Sequence, residues 1–149
     1  MTIGKKAIYL TVEMPTDGGR EITKNNKTIS IGGGRKMTNP CLRAWYDEAE
    51  LFNLQYSFTL EALIKRMDCK LYDVKIYWSL KSFKTDAHNY NEMLMDWLEK
   101  LTGVNDRNFL PSIVGKEKNG EATVAYVVIE RHAEITLKEF ENTCKNACK

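Results

Sequence analysis

Several things are missing from these 149 residues, and each absence removes a class of protein. No apolar run approaches the roughly 20 residues that a membrane-spanning helix needs. The first apolar stretch, AIYLTVEM after two lysines, is short and contains Glu13, so it reads as a strand and not as a signal peptide. Cysteine is sparse and scattered: Cys41, Cys69, Cys144 and Cys148. Only the last two are close, as C-x3-C, and no second cluster of Cys or His exists to complete a zinc site. Reduced, unrelated thiols and a reducing cytoplasm are the expectation. A large charge excess is also missing, since 22 Lys and Arg face 20 Asp and Glu. There are no repeats, no linker and no low-complexity segment. The Gly32-Gly33-Gly34 run lacks the strand-to-helix spacing of a P-loop or a dinucleotide fingerprint.

What is present is an uneven distribution of charge. Residues 1–36 carry seven Lys and Arg against three acids, and residues 57–85 carry six against three. Residues 86–106 invert this, with five acids (Asp86, Glu92, Asp96, Glu99, Asp106) and one lysine. An acidic island between basic stretches suits an enzyme that holds metal amid phosphate contacts.

The length fits one domain. Residues 7–14 alternate as a strand ending at Pro15, and Asp17-Gly18-Gly19 supplies a turn. Residues 20–38 read as a polar hairpin or loop. Asn39-Pro40 opens a helix over 40–56, with Trp45 in the core, and a second helix follows over about 59–67. Residues 71–80 form a strand rich in Tyr, Val, Ile and Trp. The apolar stripe Tyr90, Met93, Leu94, Trp97, Leu98, Leu101 predicts a helix over 89–101, stopped by Gly103. Strands over 109–115 and 121–130 follow, with Lys118-Asn119-Gly120 between them as a hairpin turn. Thr136 and Glu139 form a capping box for a last short helix, whose Ile135, Leu137 and Phe140 are suited to cap the sheet or extend an interface.

The segment Lys84-Thr85-Asp86-Ala87-His88-Asn89 joins a predicted strand to a predicted helix. Polar groups there meet the positive end of a helix dipole, which favours an anionic ligand or a metal–phosphate cluster. Asp86 and His88 are two apart, and His88 and Glu92 four apart on one helical face. Asp106 lies past the far end of that helix and joins the cluster only if the next strand begins beside the first.

This pattern resembles RusA-type Holliday-junction resolvases. The family shows Asp-x-Asp-Asn opening a helix, a glycine turn closing it, then an Asp-Asp pair leading into a strand. The counterparts are Asp86-x-His88-Asn89, Asp96 and Leu98 within the helix, Gly103-Val104, and Asn105-Asp106. Upstream, Arg35-Lys36 and Trp45-Tyr46 match a basic residue after a polar loop and an aromatic within a helix. The likeness covers about residues 7–130, is specific in 83–107, and makes 131–149 a C-terminal helical extension of the same domain. It implies an α+β fold, a small mixed β-sheet flanked by helices, in a symmetric homodimer. It also implies a metal-dependent endonuclease that resolves four-way DNA junctions by phosphodiester hydrolysis in the cytoplasm of a bacterial or phage-infected cell. It implies no organic cofactor and no membrane partner.

By that resemblance Asp86, His88 and Asp106 are catalytic, and Mg²⁺ or Mn²⁺ is held by Asp86, His88, Asp106 and Glu92. Asn89 supports the helix start. Arg35, Lys36, Lys81, Lys84 and Arg107 are candidate DNA contacts. Three positions depart from the family: His88 replaces an Asp, Asn105 replaces another, and Glu92 stands where the family has a lysine. Imidazole suits Mn²⁺ or a later metal better than Mg²⁺. His88 is either a ligand or a general base for water. Glu92 replaces a lost carboxylate, while Lys81, Lys84 or Arg107 replaces the lost cation. Two alternatives follow: a RusA-like scaffold that binds DNA or another protein without catalysis, as accessory or inhibitor, and a metal nuclease acting on other branched DNA or on RNA.

Overall fold

The computed structural model describes residues 1–84 and 86–147. It is an α+β fold in which two helices cover one face of a five-stranded mixed sheet. In chain order the elements are β1 (Thr2–Ile3), β2 (Ala7–Glu13), β3 (Thr16–Asp17), β4 (Arg20–Glu21), β5 (Thr28–Ser30), β6 (Lys36–Thr38), α1 (Pro40–Met67), β7 (Tyr72–Leu80), α2 (His88–Thr102), a 3₁₀ turn (Asp106–Asn108), β8 (Phe109–Lys118), β9 (Val124–Arg131) and α3 (Leu137–Ala147). The main sheet runs β1-β2-β9-β7-β8, and β3-β4 and β5-β6 are separate two-stranded ribbons.

Alternation sets the layers. Ile8, Leu10 and Val12 of β2, Val74, Ile76 and Trp78 of β7, and Ala125, Val127 and Ile129 of β9 are buried under the helices. The opposite face shows Tyr9, Tyr77 and Tyr126 to solvent. Tyr77 lies against Gly115 of β8, where a Cβ would meet its ring at 2.5 Å. Here β8 carries one extra residue, between Ile113 and Gly115, relative to Ile76 and Tyr77.

α1 and α2 lock together through side chain to backbone hydrogen bonds. Trp97 Nε1 donates to the Trp45 carbonyl at 2.9 Å, and Asn53 Nδ2 donates to the Leu101 carbonyl at 2.8 Å. Trp45 Nε1 donates to the Glu13 carbonyl of β2 at 2.9 Å, tying α1 to the sheet. Trp45 is therefore a core residue, as its spacing implies. Each of these indoles buries both its ring and its one donor, the condition under which tryptophan stabilises a core.

Two expectations are corrected. The helices over 40–56 and 59–67 are one 28-residue helix. Residues 57 and 58 are Ser and Phe, neither of which breaks a helix, and Leu60 and Leu63 extend the buried stripe of Leu42, Trp45 and Ala49. The second correction concerns β8 and β9, which are not a hairpin: β7 lies between them, parallel to β8 and antiparallel to β9. Gly120 does adopt a left-handed turn. The Asn119 side chain holds that connection to β7 and to itself, donating to Ser79 Oγ at 2.9 Å and to the Ala122 carbonyl at 2.7 Å.

The Thr136–Glu139 capping box forms, with Thr136 N–H donating to Glu139 Oε2 at 2.7 Å and Glu139 N–H to Thr136 Oγ1 at 3.3 Å. α3 does not cap the sheet, since Ile135, Leu137 and Phe140 are exposed. Cys41, Cys69 and Cys144 are free thiols. The C-x3-C reading involves Cys148, outside the described residues. Among the described residues no helix is long and apolar enough to cross a membrane.

Candidate functional site

β7, α2 and β8 form a crossover unit, and Asp86, His88 and Asp106 lie near its two ends. At the first turn, Asp86 and His88 open α2. The Asp86 carboxylate accepts the His88 N–H at 3.1 Å, and its carbonyl accepts the Asn89 N–H at 2.9 Å. A negative side chain thus meets the positive end of the helix dipole, a favourable placement. The Asn89 carbonyl accepts the Lys24 N–H at 3.1 Å, tying the helix start to the segment after β4. Ala87 is buried between the two polar residues and points the turn into the core.

Two clefts flank this helix start. One is lined by Asp86, His88, Gly115 and Lys116, so the carboxylate and imidazole share it with a lysine of β8. The other is polar and gathers Arg20, Asn25, Asn26, Lys84 and Asn89. Glu21 also lines it, with its carboxylate engaged by the Tyr90 hydroxyl at 2.9 Å. Arg20 comes from the tight β3–β4 ribbon turned by Gly18 and Gly19, both in the left-handed region. Lys84 comes from the end of the β7–α2 connection. Two cations and three carboxamides around a helix N-terminus form a surface suited to phosphate oxygens.

At the second turn, Gly103 closes α2 in the left-handed region and donates to the Glu99 carbonyl at 2.8 Å. Asn105 then caps the 3₁₀ turn, accepting Arg107 N–H at 3.3 Å and Arg107 Nε at 2.7 Å. Asp106 N–H donates to Glu99 Oε2 at 3.4 Å. Asp106 also acts electrostatically on Asp96, which accepts the Tyr46 hydroxyl at 3.2 Å. Burial raises the Asp96 carboxyl above its ordinary value, aided by the charges of Glu92 and Asp106 and opposed by the Tyr46 hydrogen bond and Lys27. The Tyr46 phenol is pushed up as well, chiefly by burial and then by Asp96.

The expectation that Asp86, His88, Glu92 and Asp106 surround one metal is not met within a chain. α2 has 15 residues, so its ends stand about 22 Å apart at 1.5 Å per residue. Because β8 runs parallel to β7, the chain must travel back along α2 before β8 begins, and Asp106 is delivered to the end remote from Asp86. Glu92 lies between them and is paired with Lys27 of the β4–β5 segment. The pair offsets the Glu92 charge, and its hydrogen bond raises the proton affinity of Lys27. Hard divalent ions need several oxygen ligands converging at about 2.0–2.6 Å. Among the described residues no group of three or more His, Cys, Asp or Glu side chains is so placed. Within one copy, the described residues of the predicted cluster therefore do not converge on one Mg²⁺ or Mn²⁺.

Of the candidate DNA contacts, only Lys84 joins the helix-start clefts directly. Arg35 and Lys36 are exposed in the β5–β6 hairpin, where three left-handed glycines shape the turn. Lys81 reaches the Gly19 carbonyl at 3.5 Å, bracing the β3–β4 ribbon. Arg107 sits at the opposite end, held by Asn105. Sequence reasoning missed Arg20 and Lys116, which converge on the start of α2 from two separate elements and leave no local signal. It also missed a basic cavity at the remote end of the sheet lined by Lys5, Lys6, Arg66 and Arg131. The Lys5-Lys6 and Lys65-Arg66 doublets were its only trace.

A scan against protein-family models matches none, and a search of curated proteins finds no match.

Proposed function

We propose that this chain is a RusA-like scaffold that binds branched DNA through its phosphates without cutting it. The observation that carries this reading is the layout of the β7–α2–β8 unit. Cations and amides gather at the start of α2, while the helix itself separates Asp86 and His88 from Asp106. In this role Lys84 and Arg20 hold backbone phosphates, Asn25, Asn26 and Asn89 donate to the same oxygens, and the α2 dipole adds its positive end. The Asp86 carboxylate, engaged on the His88 N–H, fixes the helix start.

The test is salt-dependent binding of a synthetic four-way junction. Removing one cation from a phosphate lowers the slope of log affinity against log salt by about one. Lys84→Ala and Arg20→Ala are each expected to weaken binding and to flatten that slope by about this amount. Unchanged slopes for both variants contradict the site.

A second reading, the metal-dependent endonuclease, is favoured by one observation: Asp86 and His88 share their cleft with Lys116, an acid and a base beside a cation. That reading requires Asp106, or another carboxylate, from a second copy. It demands junction cutting in Mg²⁺ or Mn²⁺ that is lost in both Asp86→Asn and Asp106→Asn.

A further inference from the structure

The outer face of α1 carries three large apolar side chains that nothing covers. Leu51, Leu54 and Phe58 are 65%, 74% and 85% exposed, at spacings of three and four residues. On a helix those positions form one straight stripe, the a and d positions of a heptad pattern. The stripe points directly away from the buried one of Leu42, Trp45, Ala49, Leu60 and Leu63, so no rotation of the helix buries both. The three side chains expose on the order of 400 Å² of apolar surface, comparable to the largest patch a typical monomer shows, roughly 300–600 Å². A stable interface takes about 800 Å² from each partner. The flanks of the same helix, including Ala62 and the stems of Glu61 and Lys65, are positioned to supply the remainder.

The charges at either end of the stripe select the occupant. Continuing the same spacing, Asp47 precedes Leu51 and Lys65 follows Phe58, both exposed. Neither is in an ion pair among the described residues. A parallel pair of α1 helices sets Asp47 against Asp47 and Lys65 against Lys65. An antiparallel pair in which Leu54 packs on the second copy's Phe58 sets Asp47 opposite Lys65, twice, with Leu51 on the methylenes of Glu61. Shifting the register so that Leu51 meets Leu54 drives Asp47 onto an apolar Phe58. The Leu54–Phe58 register alone satisfies both the apolar and the charged ends of the stripe.

We infer that two copies of this chain associate through α1, antiparallel, with Leu54 against Phe58 and Asp47 against Lys65 across a two-fold axis beside residue 56. The helix dipoles then oppose each other, and Ala62 leaves room for close approach. The association stands on α1 alone and does not depend on the DNA reading.

Sedimentation of the free protein in the tens-of-micromolar range tests it, with no DNA present. Wild type is expected to run as a dimer. Phe58→Asp and Leu54→Asp are expected to run as monomers with unchanged far-UV circular dichroism, because both side chains are exposed and contribute nothing to the core. Asp47→Lys and Lys65→Asp should each weaken the dimer about tenfold, and the two together on one chain should restore it. A wild-type monomer overturns the inference, and so does a dimer that survives Phe58→Asp and Leu54→Asp. A dimer that Phe58→Asp dissociates, but that neither charge variant weakens, overturns the antiparallel register.

Discussion

Asp96 shows how a single residue carries the tension between the two sides of α2. Its neighbours Trp97 and Leu98 are buried, while Glu92 and Glu99 on its own face are charged. Burial raises its carboxyl above the ordinary value of 3.8, and the acids around it push in the same direction. An acid with a raised pKa in the folded state is protonated more readily there than in the unfolded chain. The folded state therefore carries no penalty from this group at low pH and acquires one as pH rises through the raised value. Asp96→Asn keeps an acceptor for Tyr46 and removes the charge. The variant is expected to be more stable than wild type at neutral pH, with the difference fading as pH falls through the raised value and gone below the ordinary 3.8. Urea unfolding at pH 7 and pH 3.5 checks this, and a variant less stable at both pH values contradicts it. The Lys27–Glu92 pair is exposed and worth at most about 1 kcal/mol, so its role is placement of charge and not stability. None of these pairings was legible in the sequence. Lys27 and Glu92 are 65 residues apart, and Tyr46 and Asp96 are 50 apart.

At the scale of elements, the chain was legible wherever periodicity was strong. α2 begins within one residue of its expected start and ends at the expected glycine, because its apolar stripe and its left-handed stop are both local signals. α1 was harder to read: Ser57 and Phe58 interrupt the buried stripe without interrupting the helix, and an exposed Phe looks like a boundary when periodicity alone is followed. Continuity has a sharp consequence. A proline inside a helix removes one hydrogen bond and collides with the preceding turn, at a cost of about 3 kcal/mol or more. Ser57→Pro is expected to lose about that much in chemical denaturation. Two separate helices meeting at residue 57 would tolerate the change with little loss. The β8–β9 error has a different origin. Lys118-Asn119-Gly120 is a genuine turn, but turn residues specify a reversal of direction and say nothing about which strands then pair. β9 reverses and crosses to the far edge of β7, between β7 and β2, where its Ala125, Val127 and Ile129 are buried.

For the whole molecule, the crossover topology decides what the motif residues are able to do. Sequence spacing placed Asp86 before the helix, His88 and Asn89 in its first turn and Asp106 past its far end, as the structure has them. It could not reveal that a parallel β7–β8 pair sends the two turns to opposite ends of the sheet. The same topology leaves the start of α2 surrounded by cations from β4, the β7–α2 connection and β8. Antiparallel association through α1 gives a two-fold assembly, the symmetry of a four-way junction, and presents two such helix starts. Binding and cutting are thereby separated in the proposed function: one chain supplies the phosphate-holding groups, and it does not supply the converging carboxylates.

Incubating the wild-type protein with a labelled four-way junction in Mg²⁺ and in Mn²⁺, and following binding and strand scission in the same samples, tests this separation most directly. The account predicts salt-sensitive junction binding with intact strands in both metals. Scission by wild type that disappears in Asp86→Asn and in Asp106→Asn, with binding retained, would contradict it and establish the endonuclease reading instead.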